Sequence, residues 1–256
     1  MKPGQRPRRR FGQHFLRDPA VLGRIVGAID PGPGDAVFEI GPGEGALTRA
    51  LLERVGRLAA IEIDRDLAAR LESEFPPERL TLQRADALEF DFASLPQGSR
   101  LVGNLPYNIS TPLLFRLAEC AGRLRDLHFM LQREVVERMV ARPSTPEYGR
   151  LSVMLQTRFR MQQLFTVAAG AFRPPPKVES ALVRMVPLAA ADLPQVDRKA
   201  FADVVRRAFA ARRKTLRNAL PGVDLGRAGI DPRLRPENLS PDDYVRVARS
   251  LAGDAT

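Results

Sequence analysis

The chain has 256 residues, 44% hydrophobic and 27% charged, a globular composition long enough to bury a sizeable core, which excludes disorder throughout. No run approaches the roughly 20 apolar residues that cross a bilayer, no apolar segment follows the basic start as a secretory signal requires, and with Cys120 the single cysteine and His14 and His128 the only histidines, an internal disulfide is impossible and neither a metal site nor a His-based triad is expected, so a cytoplasmic location fits. The net charge is +10, with six basic and no acidic residues in positions 1–17 and thirteen basic against seven acidic in 198–256, so both ends are basic, and the partner they point to is a nucleic acid ahead of a membrane surface.

Residues 1–17 read as a basic N-terminal arm. Asp18-Pro19 marks a helix start, with Val21, Leu22, Ile25, Val26 and Ile29 at helical spacing, and Pro31-Gly32-Pro33-Gly34 ends it. A regular alternation follows: strand Ala36–Ile40, helix Ala46–Val55, strand Leu58–Ile63, helix Leu67–Phe75, short strand Leu80–Gln83, strand Leu101–Gly103, helix Thr111–Cys120, strand Leu127–Leu131, helix Glu134–Val140. Strands alternating with helices predict an α/β fold, a parallel sheet covered on both faces. Pro143–Gly149 is a loop, Leu151–Phe159 is an apolar run, and Ala181–Val186 is suited to a closing antiparallel strand. Residues 188–197 resemble a linker. From Arg198 the pattern is helical only, with Phe201, Val204, Val205 and Phe209 in phase and further helices expected over Arg212–Leu220 and Asp242–Leu251. The expected division is a main domain over 18–190 and a small all-α basic domain over 198–256.

Two clusters carry chemistry. The first is Glu39-Ile40-Gly41-Pro42-Gly43-Glu44-Gly45, between a strand and a helix. Glycines there let the backbone approach a ligand at the carboxyl edge of the sheet. Glu62, 21 residues after Gly41 and at the end of the second strand, is placed to accept both ribose hydroxyls. Asp86, after the third strand, is placed to take an adenine amino group. This suits an adenosine ligand, and the loose match of Gly41-x-Gly43-x-x-Ala46 to the dinucleotide fingerprint keeps a nicotinamide enzyme in view. The second cluster is Asn104-Leu105-Pro106-Tyr107, after the fourth strand. An exocyclic adenine amine is a poor nucleophile because its lone pair is delocalised into the ring. The Asn104 side-chain oxygen and the Leu105 carbonyl are two acceptors able to hold its N–H bonds out of conjugation. Pro106 stiffens the turn, and Tyr107 can stack on the base. The run Phe172-Arg173-Pro174-Pro175-Pro176 predicts a rigid extended loop; alone it fits a linker or a polyproline ligand.

Gln13-His14-Phe15-Leu16, Glu39–Gly43, Asn104-Leu105-Pro106-Tyr107-Asn108-Ile109-Ser110 and Phe172–Val178 occur in that order. With them the sequence closely resembles the KsgA-type ribosomal RNA adenine N6,N6-dimethyltransferases, from about Arg10 to the C-terminal helices. The resemblance implies a Rossmann-like methyltransferase sheet with a small all-α C-terminal domain, S-adenosyl-L-methionine as cofactor and no metal. It implies that His14 and Leu16 line the cofactor site and that Gly41, with Gly43 in the same loop, approaches the methionine portion. Glu62 would take the ribose and Asp86 the adenine, and Asn104 would link cofactor to target. Tyr107 and Phe172 would sandwich a flipped-out adenosine. The implied substrate is a pair of adjacent adenosines in the 3′-terminal hairpin of small-subunit (16S) rRNA, each methylated twice, with a role in late assembly of the immature small ribosomal subunit. A monomer is expected. Arg206, Arg207, Arg212, Arg213 and Lys214, expected along one helical region, would contact phosphate. One departure stands out: the family usually reads Gln-Asn-Phe-Leu where this chain has His14. Competing readings are the related macrolide-resistance methyltransferase of large-subunit rRNA, a non-catalytic assembly factor, and a DNA adenine methyltransferase, which shares only the Asn104–Tyr107 logic.

Overall fold

The computed structural model describes residues 14–252; most of the basic arm, residues 1–13, lies outside the described residues, as does the tail 253–256. The chain forms two compact units, one running to Val136 and including Gln162–Pro187, the other made of Glu137–Met161 and the chain from Leu188. Among the described residues no helix is long and apolar enough to cross a membrane.

The first unit holds the sheet. Its strands are β2 (Val37–Ile40), β3 (Leu58–Ile61), β4 (Leu80–Gln83), β5 (Ser99–Asn104), β6 (Leu124–Gln132), β7 (Phe159–Val167) and β9 (Ser180–Pro187), in spatial order β4-β3-β2-β5-β6-β9-β7. From β4 to β6 neighbouring strands are parallel, and β9 runs antiparallel to β6. The central strands are almost wholly buried, as expected of a parallel sheet packed against helices. Those helices are α1 (Pro19–Ile29), α2 (Ala46–Val55), α3 (Arg65–Glu74) and α4 (Ser110–Glu119). Helix α1 starts where Asp18 accepts hydrogen bonds from the Ala20 and Val21 amides, with Pro19 in its first turn. Its Ile25, Val26 and Ile29 join Leu47, Leu51, Val102, Met130 and Leu182 in one buried cluster.

A buried ion network ties α1 to the sheet. The Arg100 guanidinium pairs in bidentate fashion with Asp126 (both contacts 2.9 Å) and reaches Asp35 at 2.8 Å. It also donates to the carbonyls of Ile29 and Asp30 at the end of α1. These contacts hold the guanidinium charged although its side chain is almost wholly buried.

Two features of the strand structure were not predicted. β7 lacks the strict alternation of a strand with one buried face. The other is a two-stranded ribbon of β1 (Phe15–Leu16) and β8 (Phe172–Arg173), which pairs Leu16 with Phe172 and Phe15 with Arg173. Two-residue strands leave no periodicity to read.

The second unit is helical: beyond α5 (Arg133–Val140), within which the division between the units falls, it holds α6 (Arg150–Gln156), α7 (Arg198–Ala210), α8 (Leu216–Ala219) and α9 (Pro241–Ala252). Residues 137–161 belong here, although the sequence places them with the main domain, because Tyr148 and Val153 pack with Phe201, Val204, Val205, Leu216 and Tyr244. The helix expected over Arg212–Leu220 is shorter. Arg212, Arg213 and Lys214 lie in the turn after α7. There the Arg212 guanidinium donates to Glu237 and, at 2.8 Å, to the Pro146 carbonyl, a geometry that replaces the next helical turn.

Candidate functional site

A cavity of about 270 Å³ opens at the carboxyl ends of the parallel strands of the first unit. Its wall on one side is the turn from β2 to α2, where Gly41 and Gly43 hold φ of +69° and +58°, a region that favours glycine. A side chain at Gly43 would meet the Phe15 ring at 3.1 Å. The Gly43 amide donates to Glu62 Oε2 at 3.0 Å, and the Asp64 amide donates to Glu62 Oε1 at 2.8 Å. Glu62 thus shapes the loop as well as lining the cavity, and each oxygen keeps a lone pair for a ligand. Burial raises its carboxyl above the ordinary carboxylate range, against those two amide bonds.

Asp86 lines the far end of the cavity and accepts the Leu88 amide at 2.8 Å. Glu39, on β2, is fully buried in the floor and accepts from Thr48 Oγ1 at 2.7 Å. Its carboxyl is pushed up to about 7, chiefly by burial, with the nearby Glu62 adding to the rise. With Glu44, four carboxylates line the cavity, and no lysine or arginine does among the described residues. Glu44 is held by a bidentate Arg17, and the Arg49 charge is felt at Glu39. An acidic lining with no lysine or arginine among the described residues to hold a phosphate suits a ligand with net positive charge better than a pyrophosphate. The dinucleotide reading therefore loses its physical footing.

Asn104 ends β5 at the mouth of this cavity. Its Nδ2 donates to the His14 carbonyl at 2.8 Å. A carbonyl can only accept, so the amide orientation is fixed and Oδ1 stays available as an acceptor. Leu105 is buried, its amide engaged by the Met130 carbonyl at 3.1 Å. Pro106 and Tyr107 follow on the cavity wall. The Tyr107 hydroxyl shares a 2.8 Å hydrogen bond with Ser180 Oγ, and burial raises its pKa. His14 and Leu16 also line the cavity. They are held there by the β1–β8 ribbon and by a 2.8 Å bond from His14 Nδ1 to the Pro174 carbonyl.

Phe172 is a correction. Its ring is completely buried in the apolar cluster with Leu16, Met130 and Leu182, and it does not line the cavity. A stacking wall needs an open face, and this ring has none. What Phe172 brings to the site is its backbone, which pairs with Leu16.

Three residues of the site were not singled out from sequence. Glu39 sits inside the glycine motif, but nothing in sequence says that its carboxyl is buried. Gly103 is required because a Cβ there would lie 2.5 Å from the Ile40 carbonyl oxygen; a lone glycine in a strand hints at such an approach. His128, on β6, is buried in the cavity wall with neither ring nitrogen hydrogen-bonded. Burial lowers its pKa to about 4, against the pull of Asp126, so it is neutral.

In the second unit, Arg206 and Arg207 lie on α7 beside Asp203, Arg212 is held by Glu237, and Arg213 and Lys214 are exposed.

Comparison with known proteins gives a consistent picture. Residues 4–252 match the profile of a family described as ribosomal RNA adenine dimethylase. Ribosomal RNA small subunit methyltransferase A of Thiobacillus denitrificans is 59% identical over 250 residues, spanning 96% of this chain and 98% of that protein. The protein of the same name from Aromatoleum aromaticum is 58% identical, over 96% and 95% of the two chains. Among solved structures, a dimethyladenosine transferase from Plasmodium falciparum has the same fold, with a TM-score of 0.80 at 24% identity over 94% of this chain and 98% of that one. A 23S rRNA methyltransferase, ErmE, gives 0.69 at 27% identity over 93% and 99%.

Proposed function

The chain belongs to the ribosomal RNA adenine dimethylase family, and from that premise we propose that it transfers methyl groups from S-adenosylmethionine to N6 of two adjacent adenosines in the 3′-terminal hairpin of small-subunit rRNA, acting on the immature subunit during late assembly. It is a methyltransferase of α/β fold. The observation that carries the reading is the Asn104 amide, whose Nδ2 is occupied by the His14 carbonyl so that Oδ1 is left as an acceptor at the mouth of an acid-lined cavity.

The residues present fit S-adenosylmethionine, whose sulfonium and ammonium give it a net positive charge beside one carboxylate. Glu39, Glu62 and Asp86 suit that charge, and Glu62 and Asp86 lie at successive strand ends where ribose and adenine would be held. When bound, the cofactor supplies an electrophilic methyl group.

The rest is done by the chain. Asn104 Oδ1 and the Leu105 carbonyl accept the two N–H bonds of the target amine and hold its lone pair out of conjugation with the ring. Tyr107 offers a ring face to the base, steadied by Ser180. Extruding the base costs a few kcal/mol, which a prepared seat offsets. No general base has to act before attack, since the amine nitrogen becomes acidic once methylated. Catalysis is then positioning and polarisation. The exposed Arg213 and Lys214, with residues 1–17, would contact rRNA phosphates, with affinity falling steeply as salt rises.

The test is transfer of labelled methyl groups to under-methylated small subunits, with large-subunit RNA alongside. N6,N6-dimethyladenosine in the small-subunit hairpin is the expected result. Label confined to large-subunit RNA would move the reading to the resistance enzymes, and tight binding without label to an assembly factor.

A further inference from the structure

His14 does more than line the cavity. Its backbone carbonyl holds the Asn104 amide at 2.8 Å. Its ring Nδ1 donates to the Pro174 carbonyl at 2.8 Å, 160 positions along the chain. The same ring lies against Tyr107, with centroids 5.5 Å apart and planes tilted by 30°, within the usual range for paired aromatic rings. Tyr107 is fastened on by Ser180 Oγ, at the start of β9. One residue therefore touches the acceptor Asn104, the stacking residue Tyr107 and the proline loop that leads from β8 to β9. Phe172, expected as a second aromatic wall, is buried and cannot flank the base.

We propose that the His14 imidazole is a positioning residue of the target-base seat: it latches the N-terminal ribbon to the proline loop and braces the Tyr107 ring, so that Asn104 and Tyr107 meet the adenine in a fixed relation. It acts through those two residues, on the target side of the cavity. A carbonyl can only accept, so the bond to Pro174 places a proton on Nδ1. Asparagine at this place could reproduce the bond to a carbonyl through its amide N–H but has no ring to set against Tyr107. In this chain both functions fall on one side chain, and the bond to Pro174 is the dominant one because it fixes where the ring lies.

The inference rests on the methyltransferase reading given above, and its test separates the two. His14→Ala keeps the backbone carbonyl that holds Asn104 but removes the latch. Turnover at saturating subunit and cofactor is expected to fall about tenfold or more, as small misplacements of reacting groups do. Affinity for S-adenosylhomocysteine, measured by calorimetry without any reaction, is expected to stay within about twofold, since a loss confined to turnover marks positioning rather than ligand binding. His14→Asn should recover most of the lost rate and His14→Phe should not. Calorimetric affinity falling in step with turnover would overturn the proposal and return His14 to a cofactor contact; so would His14→Asn behaving like His14→Ala.

A second readout is independent of activity. The chain has two histidines, so the ring nitrogens can be assigned by nitrogen-15 NMR with the single variant His14→Asn. A protonated Nδ1 on His14, slow to exchange, is the expected signature; a proton on Nε2 with a bare Nδ1 would refute the latch. A wild-type protein that shows the signature but transfers no methyl group would sink the functional reading and leave the latch standing.

Discussion

Replacing Glu39 with glutamine is expected to stabilise the ligand-free protein, by an amount that depends on pH. Glu39 is fully buried and its carboxyl titrates at about 7 in the fold, against 4.5 when the chain is unfolded. Between those values the folded chain binds the proton that the unfolded chain has lost. Stability therefore falls as pH rises from 4.5 to about 7, and stays at the lower level above that. At about 1.4 kcal/mol per pH unit, the full loss amounts to roughly 3 kcal/mol. Glutamine cannot ionise, and its amide oxygen can still accept from Thr48 Oγ1, so the variant should escape the loss. The assay is urea unfolding of the ligand-free protein and of Glu39→Gln from pH 4.5 to 8. The two curves should coincide at the acid end and separate by roughly 3 kcal/mol by pH 8. A gap that is the same at every pH would show that Glu39 is not held neutral by burial, and the reasoning would fail.

Four other outcomes follow from the geometry. Asn104→Ala should lower methyl transfer about 100-fold or more, the scale of losing one polarising contact at a reacting atom, while binding of the small subunit changes little; equal loss of both would contradict its role. Arg100→Leu should cost about 3–5 kcal/mol by leaving Asp126 as an unpaired buried charge, and the double variant with Asp126→Leu should recover much of that, read from urea midpoints. Phe172→Ala should cost about 3–5 kcal/mol of stability as a core cavity, with turnover per folded molecule nearly kept in the cold; a stacking wall would show the reverse. Gly103→Ala should force β5 away from the Ile40 carbonyl and cost about 1–3 kcal/mol, with a raised KM for S-adenosylmethionine as the kinetic sign.

Much of the sheet was legible because its parallel strands are short apolar runs separated by helices with clear caps, such as Asp18-Pro19. The placement of Glu62, Asp86, Asn104 and Tyr107 along one cavity was legible because each lies at or just after the end of a strand, and strand ends of such a sheet share one edge. The β1–β8 ribbon was not, since two residue pairs, 158 and 156 positions apart, leave no local pattern. Phe172 was misread for a related reason. The prolines after it do make the loop stiff, but which way the ring points is decided by a cluster of residues scattered through the chain. Arg212 to Lys214 looked helical by composition; the pull of Glu237 and the Pro146 carbonyl on Arg212 is a tertiary effect that propensity does not hold.

The interleaving of the two units has a consequence for synthesis. The chain passes from one unit to the other after Val136, Met161 and Pro187. On the ribosome, β6 emerges with its outer edge open, and its partner β9 is still some fifty residues from being made. The piece between them, 137–161, carries Tyr148 and Val153, whose fully buried partners from later in the chain begin at Phe201. Neither unit can close as it is made, in the order in which it is made. A nascent chain of this protein therefore presents an unpaired strand edge and a bare apolar helix face together, the combination that chaperones intercept and that aggregation exploits.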